Sequence, residues 1–254
     1  IKIELRGSSS MELPKKSYSL TTVKSDNTSN NNVSILGMPS ENDWILNSLA
    51  FDPSLIRDYL SYDISRKLGN YASRTQYCEV ILNGDYIGLY VFQEKIKANA
   101  NRVDVAKIEK TDNSLNNLTG GYITKADRPD INEPPTWVME DTNFVHVLPK
   151  PENATPEQTA YIKGEFDRFS DNLYNYDLEN GYQTIIDVPS FVDFMLVNEL
   201  SSNADAYQYS TFFHKDRGGK LRAGPIWDLN LSFGSSFTNS SDVDQWQFSN
   251  GNKT

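Results

Sequence analysis

The chain has 254 residues, with 34 acidic against 24 basic side chains, a formal net charge of −10 and a 38% share of hydrophobic residues. Such an acidic surface repels phosphate backbones and anionic membranes, so a nucleic acid polymer is not an expected partner. No run reaches the roughly 18 apolar residues of a membrane span, and Cys78, the only cysteine, excludes an intrachain disulfide and a thiolate zinc cluster.

The first 23 residues predict two strands, IKIELRG and KKSYSLTTV, joined by the turn SSSMELP. The chain opens in mid-strand with neither a charged leader nor an apolar signal core, so we expect an excised domain that lacks flanking segments. After the polar loop KSDNTSNNNVS, the segment DPSLIRDYLSYDISRKLG predicts a helix over residues 54–68. Asp52 is its expected N-cap, Pro53 occupies the first helical position and Gly69 lies just past its end.

A β-hairpin is predicted over residues 79–94, with Asn83-Gly84-Asp85 as the turn between two β-rich runs. The run GGYITK (120–125) predicts a short strand, and proline and acidic residues mark a loop near 128–136. A second helix is expected to begin at Thr155, because Pro156 follows this N-cap candidate and Gln158 occupies the capping-box position.

The segment VPSFVDFMLVNEL (188–200) is apolar nearly all round and predicts a buried helix. A hairpin follows, made of YSTFFHK, the turn DRGG and the strand KLRAGPIWDLNLSFG, and the polar sequence past residue 235 is expected to be loose. Strands and one helix come first, while mainly helices and a hairpin follow. We therefore predict a two-lobed α+β protein, and the hydrophobic content is sufficient for its core.

Two carboxylates stand among residues where a charge is unusual. Asp228 lies between Trp227 and Leu229 in the last predicted strand, and Asp205 lies 23 residues earlier in the loop after the buried helix. A buried carboxylate must be paired, protonated or metal-bound. Taken singly, structural roles explain the two acids as well as functional ones do, with Asp205 as a turn cap and Asp228 as an acceptor of backbone hydrogen bonds. Together, with asparagines nearby, they favour a hard-cation site for Mg²⁺.

A phosphate site also needs basic residues. The second predicted strand carries Lys15 and Lys16, and the first strand ends in Arg6-Gly7. Only one of two adjacent strand lysines faces inward, and most exposed lysine pairs have no function, so this evidence is weak alone. The sequence contains neither a Walker A loop nor a G-x-G-x-x-G motif.

Other chemistries have less support. The two histidines, His146 and His214, lack zinc-hydrolase spacing and are expected to be plain strand or surface residues. No G-x-S-x-G nucleophile elbow is present. A glycosidase that uses Asp205 and Asp228 as paired carboxylates remains open, since the sequence does not give their separation.

Five segments carry a resemblance to a known family: RGSSSMELPKKSYSL, NDWILNSLAFDPSLIRDYLSYDISRKLG, LNGDYIGLYVFQEKI with NRVD, GGYITKAD, and NELSSNADAYQYSTFFHKD with GPIWDLNLSFG. Together and in this order, the five segments resemble the CotH family of spore coat protein H-like kinases. The resemblance extends from about residue 1 to residue 235. The resemblance implies an atypical protein-kinase-like fold in a single domain over residues 1–254. Its β-rich N-terminal lobe would span residues 1–95, and a mainly helical C-terminal lobe would span residues 96–254.

The family resemblance also implies an activity. The expected reaction is Mg²⁺-dependent (or Mn²⁺-dependent) transfer of the ATP γ-phosphate to serine residues of a Ser-rich protein substrate. Residues with implied roles in ATP binding are Arg6, Lys15, Lys16, Gln93, Glu94 and Lys95. Either lysine of the second strand would reach the phosphates, while the backbone at 93–95 would meet adenine. Glu94 is equally interpreted as a buried structural acid that pairs with Arg57 or Arg102.

For the transfer centre, the resemblance implies that Asp205 orients and deprotonates the acceptor hydroxyl and that Asp228 binds Mg²⁺. Ser210 occupies the position where kinases carry a metal-binding asparagine, so Asn203 and Asn230 become candidates for the second metal ligand. The helix at 54–68 offers only Asp58 and Asp63 where kinases pair a glutamate with the lysine. The alternative is a non-catalytic surface or coat binding module. An extracytoplasmic location, at a cell surface or spore coat, is also implied.

Overall fold

The computed structural model describes residues 1–128, 133–235 and 245–249. Within these ranges, ten strands form two five-stranded antiparallel sheets, accompanied by four α-helices. The chain is therefore α+β, as the order of the predicted elements indicates. Among the described residues, no helix combines the length and the apolar character needed to cross a membrane.

The first sheet is built entirely from residues before 95. Its strands are β1 (Lys2–Arg6), β2 (Ser17–Thr21), β3 (Asp43–Asn47), β4 (Thr75–Leu82) and β5 (Asp85–Glu94), in the order β1-β2-β3-β5-β4. The predicted hairpin is confirmed, and its turn is limited to Asn83 and Gly84, which have φ values of 54° and 93°. Two consecutive positive φ angles are the requirement of a type I′ turn, and an Asn-Gly pair meets it with little strain.

Strand β3 was not predicted from the sequence. Its residues Trp44, Ile45 and Leu46 are all buried, because one face of the sheet packs on an aromatic cluster and the other faces the rest of the protein. A strand buried on both faces lacks the alternation of polar and apolar residues by which strands are identified.

Helix α1 (Arg57–Lys67) begins three residues later than predicted. Its N-cap is Ile56 rather than Asp52, yet Asp52 still holds the first turn, because its carboxylate accepts the Arg57 N–H at 2.9 Å and forms an ion pair with the Arg57 side chain. The helix ends as predicted before Gly69, which has a φ of 90°. Such a left-handed residue is the usual end of a helix, and glycine adopts it without a side-chain clash.

The second sheet contains β6 (Tyr122–Asp127), β7 (Trp137–Met139), β8 (Thr142–Leu148), β9 (Thr211–Lys215) and β10 (Arg222–Ala223), in the order β10-β9-β6-β8-β7. Strands β7 and β8 were not predicted, so this half contains a five-stranded sheet in addition to its helices. The predicted loop near 128–136 lies partly outside the described residues, at 129–132, as does most of the sequence past 235.

Three helices belong to this half: α2 (Leu115–Leu118), α3 (Pro156–Asp171) and α4 (Val188–Leu200). The predicted capping box of α3 is confirmed, since the Gln158 N–H donates to Thr155 Oγ1 at 3.2 Å and the Thr155 N–H donates to Gln158 Oε1 at 3.3 Å. The bounds of α4 are also confirmed, but its expected burial is wrong. The helix contacts α1, β10 and the short helical turn Gln247–Ser249, while Val192, Met195, Leu196 and Leu200 are exposed.

His146 in β8 lies in the core of the second half. It is only 2% exposed, its ring lies 5.1 Å from that of Trp137, and within the described part of the chain its Nε2 has no hydrogen-bond partner. Burial lowers the pKa of His146 to about 4. The folded protein therefore binds a proton at His146 less readily than the unfolded chain, in which the histidine pKa is about 6.5.

We expect His146 to make folding stability depend on pH. Between about 6.5 and 4 the unfolded chain takes up a proton that the fold excludes, so the free energy of unfolding falls as the pH falls, by at most about 3 kcal/mol. Denaturant titrations at several pH values would measure this slope. Other groups titrate in the same window, so the relevant quantity is the difference between the wild type and His146→Gln. Parallel pH profiles for the two proteins would contradict the prediction.

Candidate functional site

The segment 224–234 follows β10 and was predicted as the end of a long strand. In the structure the pairing with β9 stops after the Gly224 N–H donates to the Phe212 carbonyl at 2.7 Å, since Pro225 has no N–H to continue it. The segment then runs through turns, and Asp228 has a φ of 59°. The strand prediction is therefore wrong here, and Asp228 lies on a turn that faces helix α1.

Three neighbours hold Asp228 and the residue after it. The Asn230 side-chain amide donates to Asp228 Oδ1 at 2.5 Å, and the Asp228 N–H donates to the Tyr62 hydroxyl at 3.4 Å. The Leu229 N–H donates to Asp58 Oδ1 at 2.8 Å. Asp228 is half-buried while Leu229 is fully buried, so the carboxylate lies at the border between the core and an open surface.

The charges around Asp228 are unbalanced. Burial raises the pKa of Asp228 to about 6, with the charge of Asp205 as the next cause and that of Asp127 acting in the same direction, while Arg6 and Lys125 oppose the rise. The two carboxylates that the sequence singled out therefore share one electrostatic neighbourhood. Like charges held near each other in a partly buried site favour the binding of a cation.

The fit of a divalent metal can be judged from these donors. Asp228 supplies a carboxylate whose ionised form lacks full compensation, and Asn230 supplies an amide beside it. Carboxylate and amide oxygens are the ligands of Mg²⁺ and Mn²⁺ in proteins. Within the described ranges, no three His, Cys, Asp or Glu side chains form a group that could hold a metal ion on their own. The residues fit a metal that is held by few protein groups and completed by phosphate and water.

Asp205 lies in the turn after α4. Its Oδ1 accepts a hydrogen bond from Arg128 Nη2 at 3.3 Å, and the Arg128 guanidinium stacks 4.2 Å from the centre of the Tyr209 ring. The Asp205 N–H donates to Asn203 Oδ1 at 3.3 Å. Asn203 is buried and donates in turn to Asn198 Oδ1 at 2.8 Å. The Asn203 side chain therefore stabilises the Asp205 loop. Since both of its polar atoms have protein partners, the structure does not support Asn203 as a metal ligand.

A cavity of about 260 Å³ is lined by residues of both sheets and by Trp227, the residue before Asp228. Its cations are Arg6, Lys95 and Lys125, and its apolar wall consists of Ile96, Val147, Phe212 and Trp227. Lys125 also pairs with Asp127 at 2.8 Å and with Glu133 at 2.5 Å. The Ser210 N–H donates to Asp127 Oδ1 at 3.4 Å, which places Ser210 in the same wall. Cations next to an aromatic wall suit a ligand that combines phosphates with a flat ring.

Of the three expected phosphate cations on the first two strands, only Arg6 lies at this cavity. Its guanidinium is 5.6 Å from the centre of the Trp227 ring, and the charges of Asp228 and Asp58 both act on it. Lys15 and Lys16 precede β2 instead of belonging to it. Lys15 donates to the Leu89 carbonyl over the Tyr90 ring, and Lys16 donates to the Met11 carbonyl at 2.6 Å.

The face of the first sheet explains this difference. Tyr90 belongs to the aromatic cluster on one face of the sheet, whereas Arg6 is paired with Ser17 and points to the opposite face, which Ser19 also lines. Side chains alternate between the two faces along a strand, but Lys15 precedes β2, so this alternation does not extend to it. Its ammonium lies over the Tyr90 ring, on the face opposite Arg6. The structure therefore does not bring Lys15 to Asp228, in contrast to the expectation for the second strand.

The family resemblance implies that the backbone at residues 93–95 contacts adenine, and the structure shows how that backbone is bonded. Strand β5 is internal to the sheet, so Gln93 is paired on both sides, with Ile45 of β3 and Thr75 of β4. The Lys95 carbonyl accepts from Arg102 at 2.8 Å. The Gln93 backbone and the Lys95 carbonyl therefore bond within the protein, and the Lys95 side chain lines the cavity.

Glu94 is a buried structural acid, which is one of the two interpretations that the sequence allowed. Its side chain is fully buried and accepts from Arg74 Nη1 at 3.0 Å, from the Arg74 N–H at 3.0 Å and from the Tyr71 hydroxyl at 3.2 Å. Arg102 lies 3.7 Å away, while Arg57 pairs with Asp52. Glu94 therefore joins β5 to its neighbouring loops.

A family model described as CotH kinase protein matches residues 3–254. The chain belongs to the CotH kinase family. No curated protein matches it in a direct comparison. The family match covers essentially the whole CotH kinase chain, both carboxylates and the cavity included, and a kinase-like family implies in general the use of a nucleotide and a divalent metal.

Sequence reasoning missed several residues around the candidate site of this CotH kinase family member, and it named Asp58 only as a possible partner of the lysine. Lys125 and Asp127 are separated by two positions on β6 and share one face, and their signal is a charged pair at the end of the strand YITKAD. Asp58 and Tyr62 carry the helical spacing i, i+4 on α1. Arg128 follows β6 directly. Arg128, Tyr62 and Asp58 have partners that lie more than 75 residues away in the chain, in the Asp205 loop and at Asp228 and Leu229.

Proposed function

We propose that this CotH kinase is a phosphotransferase that moves the γ-phosphate of ATP to a serine hydroxyl of a protein, with Mg²⁺ or Mn²⁺ bound. The observation that carries the proposal is the position of Asp228 and Asp205 in one electrostatic neighbourhood, beside a cavity with three cations. The two sheets then correspond to two lobes, residues 1–95 and 96–254, with the nucleotide between them. This arrangement is the fold expected of a kinase-like family.

The cavity wall supports a division of the nucleotide into two parts. Arg6, Lys95 and Lys125 would neutralise the triphosphate, and the aromatic rings of Phe212 and Trp227 would take the base. Phosphoryl transfer requires little covalent chemistry from the protein and depends on in-line positioning and on positive charge near the transferred group. Three cations on separate strands and loops meet that need without a glycine-rich motif.

Asp228 would hold the metal, with the side-chain oxygen of Asn230 as the second protein donor once its amide turns, and with Asp127 and Ser210 near enough to support them. When bound, the metal ion neutralises charge on the phosphates. Arg6 lies next to Asp228 and limits the repulsion among the acids before the nucleotide arrives.

Asp205 would accept the proton of the serine hydroxyl as the serine oxygen bonds to the γ-phosphorus and the bond to ADP breaks. The products are phosphoserine, ADP and a proton that Asp205 passes to solvent. The Arg128 contact at 3.3 Å fixes the direction of the Asp205 carboxylate, and the Asn203 contact fixes the loop. Orientation of this kind supplies much of the advantage of a general base.

A non-catalytic binding module is the second candidate. The 2.5 Å hydrogen bond from the Asn230 amide to Asp228 favours it, because a neutral donor satisfies the carboxylate that a metal would otherwise engage. Ser210 in place of an asparagine favours it as well. For either candidate, we propose a location outside the cytoplasm, at a cell surface or spore coat.

The deciding experiment combines binding and transfer. Thermal shift with ATP and Mg²⁺ or Mn²⁺ measures nucleotide binding, and incubation with labelled ATP and Ser-rich peptides, analysed by mass spectrometry, measures transfer. We expect a metal-dependent shift and phosphoserine on some peptides. A shift without any transferred group would indicate the binding module. Absence of a shift with either metal would remove most of the support for the phosphotransferase and would favour a binding module whose Asp228 carboxylate is already satisfied by Asn230.

Arg6→Met should weaken binding of ATP with Mg²⁺ by about tenfold or more, because it removes a charge-assisted contact to phosphate. The matched control is Lys16→Met, which removes a cation that lies half-buried against the Met11 carbonyl instead of the cavity. Isothermal titration of both variants would measure the difference. Equal losses in the two variants, or none in Arg6→Met, would show that the cavity cations are not the phosphate site.

A further inference from the structure

Helix α1 presents two buried polar side chains to the segment that carries Asp228. Asp58 is 2% exposed and Tyr62 is 1% exposed, and they lie one helical turn apart on the same face. Tyr62 accepts the Asp228 N–H at 3.4 Å and Asp58 accepts the Leu229 N–H at 2.8 Å. One helix therefore engages two consecutive backbone amides at the metal-binding residue.

The backbone at Asp228 needs such support. Its φ of 59° lies in the left-handed region, where a residue other than glycine persists only when its surroundings determine it. The direction of the carboxylate follows from this backbone, because the first side-chain bond leaves from the same Cα. A segment released from α1 could return to a commoner conformation and turn the carboxylate away from the cavity.

Asp58 also forms a hydrogen bond with the first sheet. Its second oxygen, Oδ2, accepts from Asn47 Nδ2 at 3.2 Å, and Asn47 is the last residue of β3. Both oxygens thus have protein donors. Asp58 therefore has a partner other than a lysine, in contrast to the lysine–glutamate pair of kinases, and it links β3 through α1 to the turn at Asp228.

We propose that Asp58 and Tyr62 are positioning residues that set the direction of the Asp228 carboxylate toward the metal and the nucleotide. The proposal rests on the proposed function for the metal that Asp228 would hold. It assigns to α1 a role in metal affinity that does not require either side chain to touch the metal.

The first test uses Mn²⁺ affinity in the presence of ATP, measured by electron paramagnetic resonance. Asp58→Ala should lower the affinity by about 10- to 100-fold, the usual effect of removing a group that orients a metal ligand. Asp58→Asn should recover part of the loss, because its amide oxygen can still accept the Leu229 N–H. The control is Asp63→Asn on the same helix, a half-buried acid that pairs with Lys67 at 2.9 Å.

Tyr62→Phe removes only the hydroxyl and keeps the ring, which lies 6.2 Å from that of Trp227. We expect weaker Mn²⁺ binding and a higher KM for the metal–ATP complex, with an unchanged KM for the peptide. Tyr59→Phe is the matched control, since Tyr59 lies on the same helix and is 41% exposed. Wild-type Mn²⁺ affinity in both Asp58→Ala and Tyr62→Phe would overturn the proposal.

Amide hydrogen exchange separates this proposal from the proposed function. Asp58→Ala should speed exchange at Leu229, and Tyr62→Phe should speed exchange at Asp228, while the rest of α1 keeps its protection. Unchanged exchange at both amides would overturn the positioning role even if the wild type binds Mn²⁺ and ATP. If the wild type binds no Mn²⁺ with ATP, the proposed function fails and the role in metal binding fails with it, whereas accelerated exchange would still establish the contact with α1.

Discussion

Asp228→Asn should abolish metal-dependent nucleotide binding and reduce phosphate transfer on the order of 10²–10³-fold or more, in line with the loss of one charge-stabilising group in an active site. The same variant should be more stable than the wild type without metal. Burial and the charge of Asp205 raise the pKa of Asp228 to about 6, so its ionised form destabilises the fold at neutral pH. A neutral amide of equal size removes that cost, which we place on the order of 1 kcal/mol.

The sign of this effect can be tested by pH. A carboxyl group with a raised pKa in the fold binds its proton more tightly there than in the unfolded chain, so its contribution to stability is lost as the pH rises from about 4 to about 6. The difference in melting temperature between Asp228→Asn and the wild type should therefore grow over that range and then level off. Asp85→Asn, at an exposed acid at the start of β5, is the control. A destabilised Asp228→Asn at pH 7 would contradict the prediction and would show that the hydrogen bond from Asn230 outweighs the cost of the buried charge.

Asp205→Asn should retain nucleotide and metal binding while losing transfer by about 10²- to 10⁴-fold, the usual contribution of a general base. The amide keeps an oxygen for the Arg128 contact at 3.3 Å but cannot take the serine proton. Thermal shift with ATP and Mg²⁺ and the rate of phosphopeptide formation would be measured on the same preparation, with Asp85→Asn again as control. Normal transfer by Asp205→Asn would exclude Asp205 as the base, and loss of nucleotide binding would place it among the metal ligands instead.

The elements that the sequence predicts well are those determined within a few residues. The capping box of Thr155 and Gln158 and the Asn83-Gly84 turn satisfy their own hydrogen bonds or dihedral angles locally. Strands β3, β7 and β8 depend on partners far along the chain and have little alternation to mark them. The composition of α4 correctly predicts a helix but cannot show that part of its apolar surface is exposed.

The residues of the candidate site also fall into two groups, those that the sequence identifies and those that only the structure identifies. Asp205 and Asp228 can be identified in the sequence because a carboxylate among apolar residues needs a reason wherever the chain folds. The choice among Arg6, Lys15 and Lys16 could not be made there, since it depends on where β2 begins and on which face of the sheet each residue lies. Lys125 and Asp58 became part of the site only through the packing of β6 and α1 beside the 224–234 segment.

The left-handed backbone at Asp228 limits which residues can replace it. Aspartate, asparagine and glycine tolerate this conformation, whereas alanine and branched residues are strained in it. A relative that had lost the metal without rebuilding the turn would therefore most easily carry asparagine or glycine at the equivalent of residue 228. The identity of that one residue, read together with the residue two positions later, offers a simple way to separate active from inactive members when only their sequences are known.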